Sequence, residues 1–594
     1  MSHYRPPLRD IEFVLEHIVG IGDLAGLDSF DHVDPEIVHG LLEEAGRFMA
    51  EVVAPTNTVG DTVGATRNAD GTVTVADELV TAYRQYVAAG WNGVKSSPEF
   101  GGHGFPAAVA IAVQEMLTSA NMALSLCPML TMSSILALEN HGTDEQRATY
   151  LEKLISGEWT GTMVLTEPEA GSDVGALRTR AEPQDDGTWK LFGTKIFITW
   201  GEHEMTDNII HLVLGRAPGA PAGTKGISLF LVPKYLVEAD GTIGARNDVS
   251  CVSIEHKLGI HSSPTCVMSF GENDGAVGYL IGEVNQGMRY MFTMMNDARL
   301  AVGLEGLAIG ERAYQRAFAY AQERTQGRAI GAAKTETSPI IDHPDVRRML
   351  LTMKGYNEAM RGLLYDNAKE IDLSEHHPDE AVRQAASDRA GLLTPVSKAW
   401  CTDLGVEIAS IGVQVHGGMG YVEETGAAQY YRDARIAPIY EGTNGIQAID
   451  LVARKITLGE GAVVRRYLDE LTALDEPLAA AGDALESIRG GLADGVVLLR
   501  NATEWLLART DPNDVLAGAT PYLRLFGTVA GAGYLARQAL AAHRLGDGDD
   551  FAAAKVSTAR FYCEQLLPQA FGLVPAVMSP AAGLFEIETK HLGT

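Results

Sequence analysis

Apolar residues recur at intervals of three and four positions over the first quarter of the chain. The stretches EIVHGLLEEAGRFMAEVVAP and AAVAIAVQEMLTSANMALSL, within about residues 35–155, both show this spacing. Because an α-helix has about 3.6 residues per turn, this spacing places the apolar side chains on one face of the helix. The stretch SSPEFGGHGFP between them is rich in Gly and Pro and predicts a loop. We therefore predict a helical domain in this part of the chain.

The pattern changes between about residue 161 and about residue 275. Short runs rich in β-branched and aromatic residues follow one another, namely TGTMVLTEP, WKLFGTKIFITWG, NIIHLVLG, GISLFLVPK and CVSIEHKLG, with turn residues between them. The runs are not separated by helical stretches, which parallel strands use as crossovers. We therefore predict an antiparallel barrel or sandwich inserted between helical domains.

Helical spacing returns at about residue 284. The stretches MMNDARLAVGLEGLAIGERAYQRAFAYAQERT and HPDVRRMLLTMKGYNEAMRGLLYDNAKEI are long enough for a helical bundle, and a helical tail follows with breaks at TDPND, LGDGDD and MSPAAG. The predicted fold class is α+β, with an N-terminal helical domain, a central antiparallel β-domain, a C-terminal helical bundle and an additional C-terminal helical domain. The predicted segments are an N-terminal extension at 1–38, the helical domain at 39–160, the β-domain at 161–280, the bundle at 281–458 and the additional domain at 459–594.

The composition is that of a globular protein. Of 594 residues, 46% are hydrophobic and 21% charged, and the net charge of −30 repels nucleic acid. The longest apolar runs, such as AAVAIAV, are too short to cross a membrane. The five cysteines form no CxxC pair, and the N-terminal stretch MSHYRPPLRDIEFVLEHI lacks the apolar run of a signal peptide. We therefore expect a cytoplasmic protein without a metal site.

Several familiar catalytic motifs are missing from the sequence. It contains no Walker A sequence, no HExxH, no GxSxG and no GxGxxG between a strand and a helix, which are the usual marks of four large enzyme classes. Two stretches of the predicted β-domain stand out instead. TEPEAGSD, at 166–173, combines Gly with small hydroxyl residues, and KIFITWG, at 195–201, would place Phe197 and Thr199 on one strand face and Ile198 on the other. Taken alone, each stretch also fits an ordinary turn or strand.

A third stretch, YRDARIAPIYEGTNGIQ, lies near the end of the predicted bundle. Together with TEPEAGSD, KIFITWG and the order of helical, β and helical segments, it makes the chain resemble the acyl-CoA dehydrogenase family from about residue 40 to about residue 456. The additional C-terminal domain resembles the long bacterial branch of that family, which includes fatty acyl-CoA and 3-methylmercaptopropionyl-CoA dehydrogenases. The resemblance implies an FAD-dependent enzyme that produces a trans-2-enoyl-CoA, with electron-transferring flavoprotein as acceptor.

Glu441, in the motif IYEGT, is the candidate catalytic base. The resemblance implies that it removes the α-proton of the thioester while the β-hydride passes to flavin N5, and that its backbone N–H and a flavin ribitol hydroxyl hold the thioester oxygen. A carboxylate suits this role in a dry pocket, because desolvation raises its pKa and makes it a better base. The alternative is an N-cap or first-turn carboxylate favoured by the dipole of the helix GIQAIDLVARKI. Some relatives carry the base beside the arginine of ARL, where this chain has Ala298, and the adjacent Asp297 is expected to point elsewhere.

The resemblance also assigns residues to the cofactor and the substrate. Phe197 stands where many relatives have Trp, and Arg324 and Gln326 match residues that reach the flavin pyrophosphate of a neighbouring subunit, which implies at least a dimer. The expected flavin-binding residues are Met163, Leu165, Thr166, Gly171, Ser172, Phe197, Ile198, Thr199, Arg324, Gln326, Gln414, Gly417, Gly418 and Thr443. The expected substrate-binding residues are Ser172, Asn296, Arg299, Glu441 and Gly442, with Asn296 where the family has an aspartate.

The acyl group is left open by the sequence. The first interpretation is a medium- or long-chain fatty acyl-CoA in β-oxidation, and the alternative is 3-methylmercaptopropionyl-CoA. The run NMALSLCPML, at about 120–130, suits an alkyl chain, a thioether or ordinary core packing. Two further alternatives share the fold: an acyl-CoA oxidase, and a DNA-associated flavoprotein, which would need a basic face that the acidic tail stretch LDELTALDEPLAAAGDALES does not offer.

Overall fold

Eight α-helices occupy the first quarter of the chain in the computed structural model, which describes residues 4–333, 337–546 and 548–593. A short hairpin lies between the fourth and fifth of them, and the predicted loop SSPEFGGHGFP separates the fifth from the sixth. The helical pattern predicted for residues 35–155 is therefore confirmed. The elements are α1 (Leu8–Val14), α2 (Ile21–Leu24), α3 (Pro35–Phe48), α4 (Thr56–Val63), β1 (Thr66–Arg67), β2 (Val73–Thr74), α5 (Asp77–Ala88), α6 (Ala107–Ala120), α7 (Met122–His141) and α8 (Asp144–Ser156).

The chain forms two compact units. The first, here called the bundle unit, contains Met1–Glu43, Pro106–Glu115 and Val302–Thr594. The second, here called the β unit, contains Glu44–Phe105 and Met116–Ala301. The N-terminal segment, the bundle and the C-terminal tail thus belong to one unit.

Helix α7 is the most apolar long helix of the β unit. Among the described residues it is the one helix long and apolar enough to cross a membrane, but 83% of its apolar window is buried inside the protein, as in the core helix of a globular domain. A Cβ atom on Gly161 would lie 2.4 Å from the Ser134 Oγ on this helix, so only glycine allows the neighbouring strand to pack so closely. The run NMALSLCPML begins this helix and is buried in the core.

Ten strands follow α8 in the β unit. One sheet has the order β10-β11-β5-β12-β7-β6-β3, with β4 paired to β5, while β8 and β9 form a separate pair. Strand β5 pairs with β12 and β4 through its first half and with β11 through its second half, so it joins the two parts of the sheet. The strands are β3 (Trp159–Val164), β4 (Arg180–Pro183), β5 (Trp189–Thr199), β6 (Asn208–Gly215), β7 (Ser228–Pro233), β8 (Tyr235–Val237), β9 (Ile243–Arg246), β10 (Val249–Ile254), β11 (Thr265–Phe270) and β12 (Ala276–Ile281).

One strand pair departs from the predicted antiparallel arrangement. β3 and β6 pair in parallel, with Trp159 opposite Asn208 and Val164 opposite Val213, whereas the other pairs are antiparallel. A parallel pair needs a long crossover, but that crossover does not have to be a helix. Here the loop after β3 together with β4 and β5 supplies the length, which the spacing of strand-like runs does not reveal.

Long helices return after the sheet, as predicted. Two glycines of α9 allow it to lie against α11 at backbone distance: a Cβ atom on Gly306 would lie 2.1 Å from the carbonyl oxygen of Cys401, and one on Gly303 would lie 2.5 Å from that of Ser397. The helices of this region are α9 (Gly287–Glu323), α10 (Pro344–His376), α11 (Glu380–His416), α12 (Ala427–Ala434) and α13 (Asn444–Asp450).

The C-terminal tail is helical and packs on the bundle within the bundle unit. Gly527 faces the ring of Trp400, and the hydroxyl of Tyr534 donates a 2.7 Å hydrogen bond to Asp366, which also pairs with Arg389 at 2.9 Å. The predicted breaks are confirmed, since one helix ends and another begins at or beside each of TDPND, LGDGDD and MSPAAG, and Asp547 of LGDGDD lies outside the described residues. The tail helices are α14 (Ala462–Thr472), α15 (Asp475–Ala480), α16 (Glu486–Leu507), α17 (Pro512–Ala517), α18 (Ala519–Leu545), α19 (Asp550–Phe561), α20 (Leu567–Phe571), α21 (Val574–Val577) and α22 (Ala582–Phe585).

Candidate active site

Glu441 lies in a tight loop of the bundle unit, between α12 and α13. Its backbone has φ of 52° and that of Gly442 has φ of 83°, so two consecutive residues adopt the left-handed conformation. For a residue with a side chain this conformation costs about 1–2 kcal/mol, which the surroundings must offset. The side-chain amide of Gln447 donates to both carbonyl oxygens, of Glu441 and Gly442, at 3.4 Å. The loop is thus held in one unusual conformation.

The helix that follows is capped by Thr443 and not by Glu441. The Thr443 hydroxyl accepts a 3.2 Å hydrogen bond from the Ile446 N–H, and α13 begins at Asn444. Glu441 therefore lies outside the first turn and does not serve as the N-cap, which was the alternative interpretation of this carboxylate.

Asn444 ties the loop to α11. Its side-chain amide nitrogen donates to Ala399 O at 3.1 Å, Thr402 Oγ1 at 3.0 Å and Asp403 Oδ1 at 2.7 Å, and its Oδ1 accepts from Lys398 Nζ at 2.8 Å. Burial raises the pKa of Asp403. Sequence reasoning missed this anchor, because an asparagine at a helix start normally indicates only capping.

A second carboxyl group, Glu305 on α9, lies beside the loop. It is only 2% exposed, and the hydroxyl of Tyr440, the residue before Glu441, donates a hydrogen bond to its Oε2. Burial raises the pKa of Glu305 to about 8, and the charge of Glu441 acts in the same direction, while Tyr440 and Lys398 lower it. The signal in the sequence was a single acidic residue inside the otherwise apolar run LAVGLEGLAIG.

In the β unit, the stretches TEPEAGSD and KIFITWG lie side by side. The Ile196 N–H donates to Thr166 O at 2.9 Å, and Lys195 Nζ donates to Leu165 O at 2.9 Å. Lys195 is fully buried and pairs with Glu167 at 2.9 Å. Burial lowers the pKa of Lys195 to about 8, although Glu167 acts in the opposite direction. This buried ion pair joins KIFITWG to TEPEAGSD.

Phe197 projects from the sheet at a bulge. Strand β5 carries one extra residue between Lys195 and Ile198 relative to its partner, and Phe197 has φ of 59° with 59% of its surface exposed. Ile198 is buried and Thr199 is half-buried, so the predicted opposition of faces holds at 197–199. It does so through a bulge and not through regular alternation. The left-handed backbone at this exposed aromatic residue makes Phe197 a candidate contact for a ligand.

The other expected cofactor residues of the β unit lie at the end of β3, in the loop that follows it and beside Phe197 on β5. Met163 is buried at the end of β3, Leu165 and Thr166 are half-buried, and Gly171 and Ser172 are exposed in the following loop. A Cβ atom on Gly171 would meet no atom within 4 Å among the described residues, so the space beside this backbone is open. Exposed Phe197, exposed Ser172 and open backbone at Gly171 fit the binding of a flat ring system such as the flavin of FAD.

Helix α9 carries the expected substrate residues of the β unit. Asn296 is exposed, whereas Arg299 is 6% exposed with its guanidinium 6.0 Å from the ring centre of Phe292. Asp297 pairs with Lys95 and accepts a 3.2 Å hydrogen bond from the Ser133 hydroxyl, so its carboxylate is engaged elsewhere, as expected.

The remaining expected cofactor residues lie on two surface segments of the bundle unit. Arg324 and Gln326 are exposed after the end of α9, and the Arg324 guanidinium donates to the Gln326 side chain at 3.1 Å. Gln414 is exposed near the end of α11, followed by Gly417 and Gly418, where a Cβ would meet no described atom within 4 Å. The neighbouring His416 is buried, stacks on Tyr320 at 4.4 Å and contacts Gly412 O at 2.7 Å, which is a packing role.

Family models match the chain in four consecutive blocks. They are the acyl-CoA dehydrogenase N-terminal domain at 38–158, the middle domain at 162–272, the C-terminal domain at 285–457 and the acetyl-CoA dehydrogenase C-terminal-like domain at 467–588. Together they span most of the sequence.

Individual proteins resemble the chain along nearly its whole length. It is 47% identical over 569 residues to the 3-methylmercaptopropionyl-CoA dehydrogenase of Ruegeria pomeroyi, covering 95% of this chain and 96% of that protein. It is 34% identical over 598 residues to the broad-specificity linear acyl-CoA dehydrogenase FadE5 of Mycobacterium tuberculosis, covering 96% of each. The crystal structure of an acyl-CoA dehydrogenase from Bacillus anthracis complexed with FAD has a TM-score of 0.71 at 21% identity, covering 96% of this chain and 91% of that one, which is a likeness of fold.

Proposed function

Because the chain belongs to the acyl-CoA dehydrogenase family, we propose that it oxidises an acyl-CoA thioester between its α and β carbons, with Glu441 as the base. The observation that carries this proposal is the position of Glu441: a carboxylate on a strained loop, outside the helix cap and fixed on both sides by Tyr440 and Asn444. A strained residue held by its surroundings is typical of a functional site.

The chemistry needs a base that accepts a proton from carbon. The α-hydrogen of a thioester is weakly acidic, and a carboxylate removes it when the site excludes water and the C–H bond points at the carboxylate oxygen. Glu441 takes this proton. Its backbone N–H is assigned to the thioester oxygen, where it stabilises the negative charge that develops as the proton leaves.

FAD is the cofactor of the family, and it supplies the two-electron acceptor chemistry when bound. We assign its flavin end to the β-unit residues Met163, Leu165, Thr166, Gly171, Ser172, Phe197, Ile198 and Thr199. We assign Arg324, Gln326, Gln414, Gly417, Gly418 and Thr443 of the bundle unit to the rest of the cofactor. The substrate contacts are Ser172, Asn296, Arg299, Gly442 and Glu441.

For the acyl group we propose a short thioether chain, 3-methylmercaptopropionyl-CoA, in place of the medium- or long-chain fatty acyl-CoA expected from the sequence. The support is the 47% identity to an enzyme of that name over 95% of the chain, against 34% to an enzyme of linear acyl-CoA. The linear acyl-CoA, with a place in fatty acid β-oxidation, is the second candidate because that relative also covers almost the whole chain.

One pair of substrates separates these candidates sharply. Pentanoyl-CoA has a methylene group where 3-methylmercaptopropionyl-CoA has sulfur, so the two chains have the same number of heavy atoms. We expect kcat/KM to be about 10-fold higher or more for the thioether, within the range that one group in a pocket can discriminate. Equal or better turnover of pentanoyl-CoA, or a steady rise with longer chains, would favour the linear acyl-CoA.

The electron acceptor and the assembly are also proposals. We propose electron-transferring flavoprotein as acceptor and a cytoplasmic location. We also propose a homodimer in which Arg324 and Gln326 contact the flavin of the neighbouring subunit. The domain organisation that we propose has five segments, with bounds at 38, 160, 280 and 458. Rapid consumption of oxygen in place of that acceptor would favour an acyl-CoA oxidase instead. Sedimentation equilibrium of the flavin-bound protein tests the dimer.

A further inference from the structure

Glu305 is a carboxyl group in the core of the bundle unit. It lies on α9 between Gly303 and Gly306, the two positions at which α9 and α11 approach at backbone distance. Its surface is 2% exposed. Transfer of a charged carboxylate into such an environment is costly unless hydrogen bonds and opposite charges compensate it.

The compensation at Glu305 is incomplete. Tyr440 donates a hydrogen bond to Oε2, whereas Oε1 is buried and has no hydrogen-bond partner among the described residues. A single hydrogen bond leaves the charge of an ionised carboxylate poorly compensated at this buried position, so the environment favours the neutral, protonated form. Burial also raises the pKa of Tyr440, which keeps the phenol as the donor.

Three charged or titratable groups act on Glu305. Tyr440 and Glu441 come from the loop before α13, and Lys398 comes from α11. Asp403 lies one step further away, since it and Lys398 both hydrogen-bond to the side chain of Asn444. The positive charge of Lys398 opposes protonation of Glu305 but does not outweigh burial, because the pKa of Glu305 is raised to about 8.

We propose that Glu305 is a positioning residue that keeps a proton in the resting enzyme and thereby leaves Glu441 as the ionised carboxyl of the pair. The proposal rests on the assignment of Glu441 as the base. The charge of Glu441 acts on the buried Glu305, and Tyr440, the residue before Glu441, is hydrogen-bonded to it. Two interacting carboxyls do not both ionise easily, so a proton held on Glu305 favours the charge on Glu441. During the reaction the α-proton goes to Glu441, while the proton on Glu305 stays in place.

The hydrogen bond from Tyr440 gives this arrangement a geometric role as well. Tyr440 precedes Glu441 in the chain, so its hydrogen bond to Glu305 ties the backbone beside Glu441 to α9. A protonated Glu305 accepts this bond without placing a second negative charge near the thioester, where negative charge develops in the reaction. Ionisation of Glu305 adds that charge, and we therefore expect kcat/KM to fall as the pH rises through about 8.

Infrared difference spectroscopy tests the proton directly, in the flavin-bound protein without substrate. The carbonyl stretch of a protonated carboxyl is monitored from about pH 6 to about pH 10, a range that spans the expected midpoint. We expect one protonated-carboxyl band to disappear with a midpoint near 8 and to be absent in Glu305→Gln. In Tyr440→Phe the midpoint moves upward, because the lost hydrogen bond had lowered the pKa of Glu305.

Glu370→Gln provides the matched control, since burial also raises the pKa of Glu370, to about 7, far from the loop in sequence. This variant removes its own band and leaves both the Glu305 band and the pH profile of kcat/KM unchanged. Glu305→Gln, in contrast, removes the fall of kcat/KM above pH 8. The proposal is overturned if Glu305→Gln keeps the band that titrates near 8 in the wild type. It is also overturned if Tyr440→Phe leaves the midpoint of that band unchanged or lowers it.

Tyr440→Phe keeps the test decisive if Glu305→Gln fails to fold, because it shifts the midpoint of the Glu305 band and leaves Glu305 in place. The infrared titration needs no turnover, so it also stays separate from the proposed function. A protein that oxidises none of the acyl-CoA esters but shows the Glu305 band contradicts the proposed function and not the proton assignment. A protein that oxidises an acyl-CoA ester but shows no Glu305 band contradicts the proton assignment and not the proposed function.

Discussion

Lys398 Nζ donates a 2.8 Å hydrogen bond to the side-chain oxygen of Asn444, the first residue of α13. The amide nitrogen of the same asparagine donates to three acceptors on α11. The loop that carries Glu441 is therefore fixed to α11 at a residue three positions further along the chain. The side chain of Asn444 thus links the core of the bundle to the candidate base.

Replacement of Asn444 by Ala removes these hydrogen bonds. We expect the rate of flavin reduction by substrate to fall about 10²-fold, because a shift of about 1 Å in a reacting group has an effect of that size. Stopped-flow absorbance measures this rate. Asn140→Ala, which removes a single 2.9 Å bond on an exposed helix surface, is the control, and an equal rate in both variants would contradict the anchoring role.

Phe197 predicts a contribution to flavin affinity. Its ring is 59% exposed, and aromatic stacking contributes about 0.5–1.5 kcal/mol beyond burial of area. We expect Phe197→Ala to weaken FAD binding by up to about 10-fold and Phe197→Trp to retain it. Isothermal titration of the FAD-free protein measures the affinity, with the exposed Ile243 of β9 replaced by Ala as control. Unaltered affinity in Phe197→Ala would exclude the ring from the cofactor site.

Gly306 predicts a packing defect on substitution. An added methyl group would lie 2.1 Å from the Cys401 carbonyl oxygen, so Gly306→Ala must push α9 and α11 apart. We expect a loss of about 1–3 kcal/mol in the free energy of unfolding. Gly40→Ala on α3, where no described atom lies within 4 Å, is the matched control and should be neutral or stabilising by up to about 1 kcal/mol. Urea unfolding compares the two.

Asp366 predicts part of the acid sensitivity. Burial raises the pKa of Asp366, but the opposite effect of Arg389 and Arg537 is larger, so the pKa is lowered to about 2. An unfolded Asp titrates near about 3.9, so the group stabilises the fold above that pH and loses this effect as the pH falls towards 2. Between about pH 5 and about pH 2 the wild type should lose about 2 kcal/mol more than Asp366→Asn. Asp494→Asn on the exposed face of α16 is the control, and parallel pH curves for wild type and Asp366→Asn would contradict the assignment.

Much of the fold follows from local spacing. The period of three and four residues identifies the helical segments, and one tail helix ends and the next begins at or beside each of the breaks TDPND, LGDGDD and MSPAAG. The parallel pairing of β3 with β6 could not be predicted, because it depends on which strands meet across the sheet. The same holds for the shared unit of the N-terminal segment and the tail.

The candidate site was predictable where a motif carries it. IYEGT and KIFITWG point to Glu441 and Phe197, but the left-handed backbone at both residues is not visible in the letters, since neither is glycine. Glu305 and Asn444 were missed for another reason. Each acquires its role from a distant partner, Tyr440 or α11, and single-residue patterns carry no record of such contacts.

The central claim is that Glu441 is the base, and its most direct test is anaerobic reduction of the bound flavin. Wild type and Glu441→Gln are mixed with 3-methylmercaptopropionyl-CoA and, separately, with pentanoyl-CoA, and the flavin absorbance is followed. We predict that the wild type bleaches and that Glu441→Gln binds FAD equally well but bleaches at least about 10²-fold more slowly, as expected on loss of a general base. Bleaching of Glu441→Gln at the wild-type rate would contradict the account.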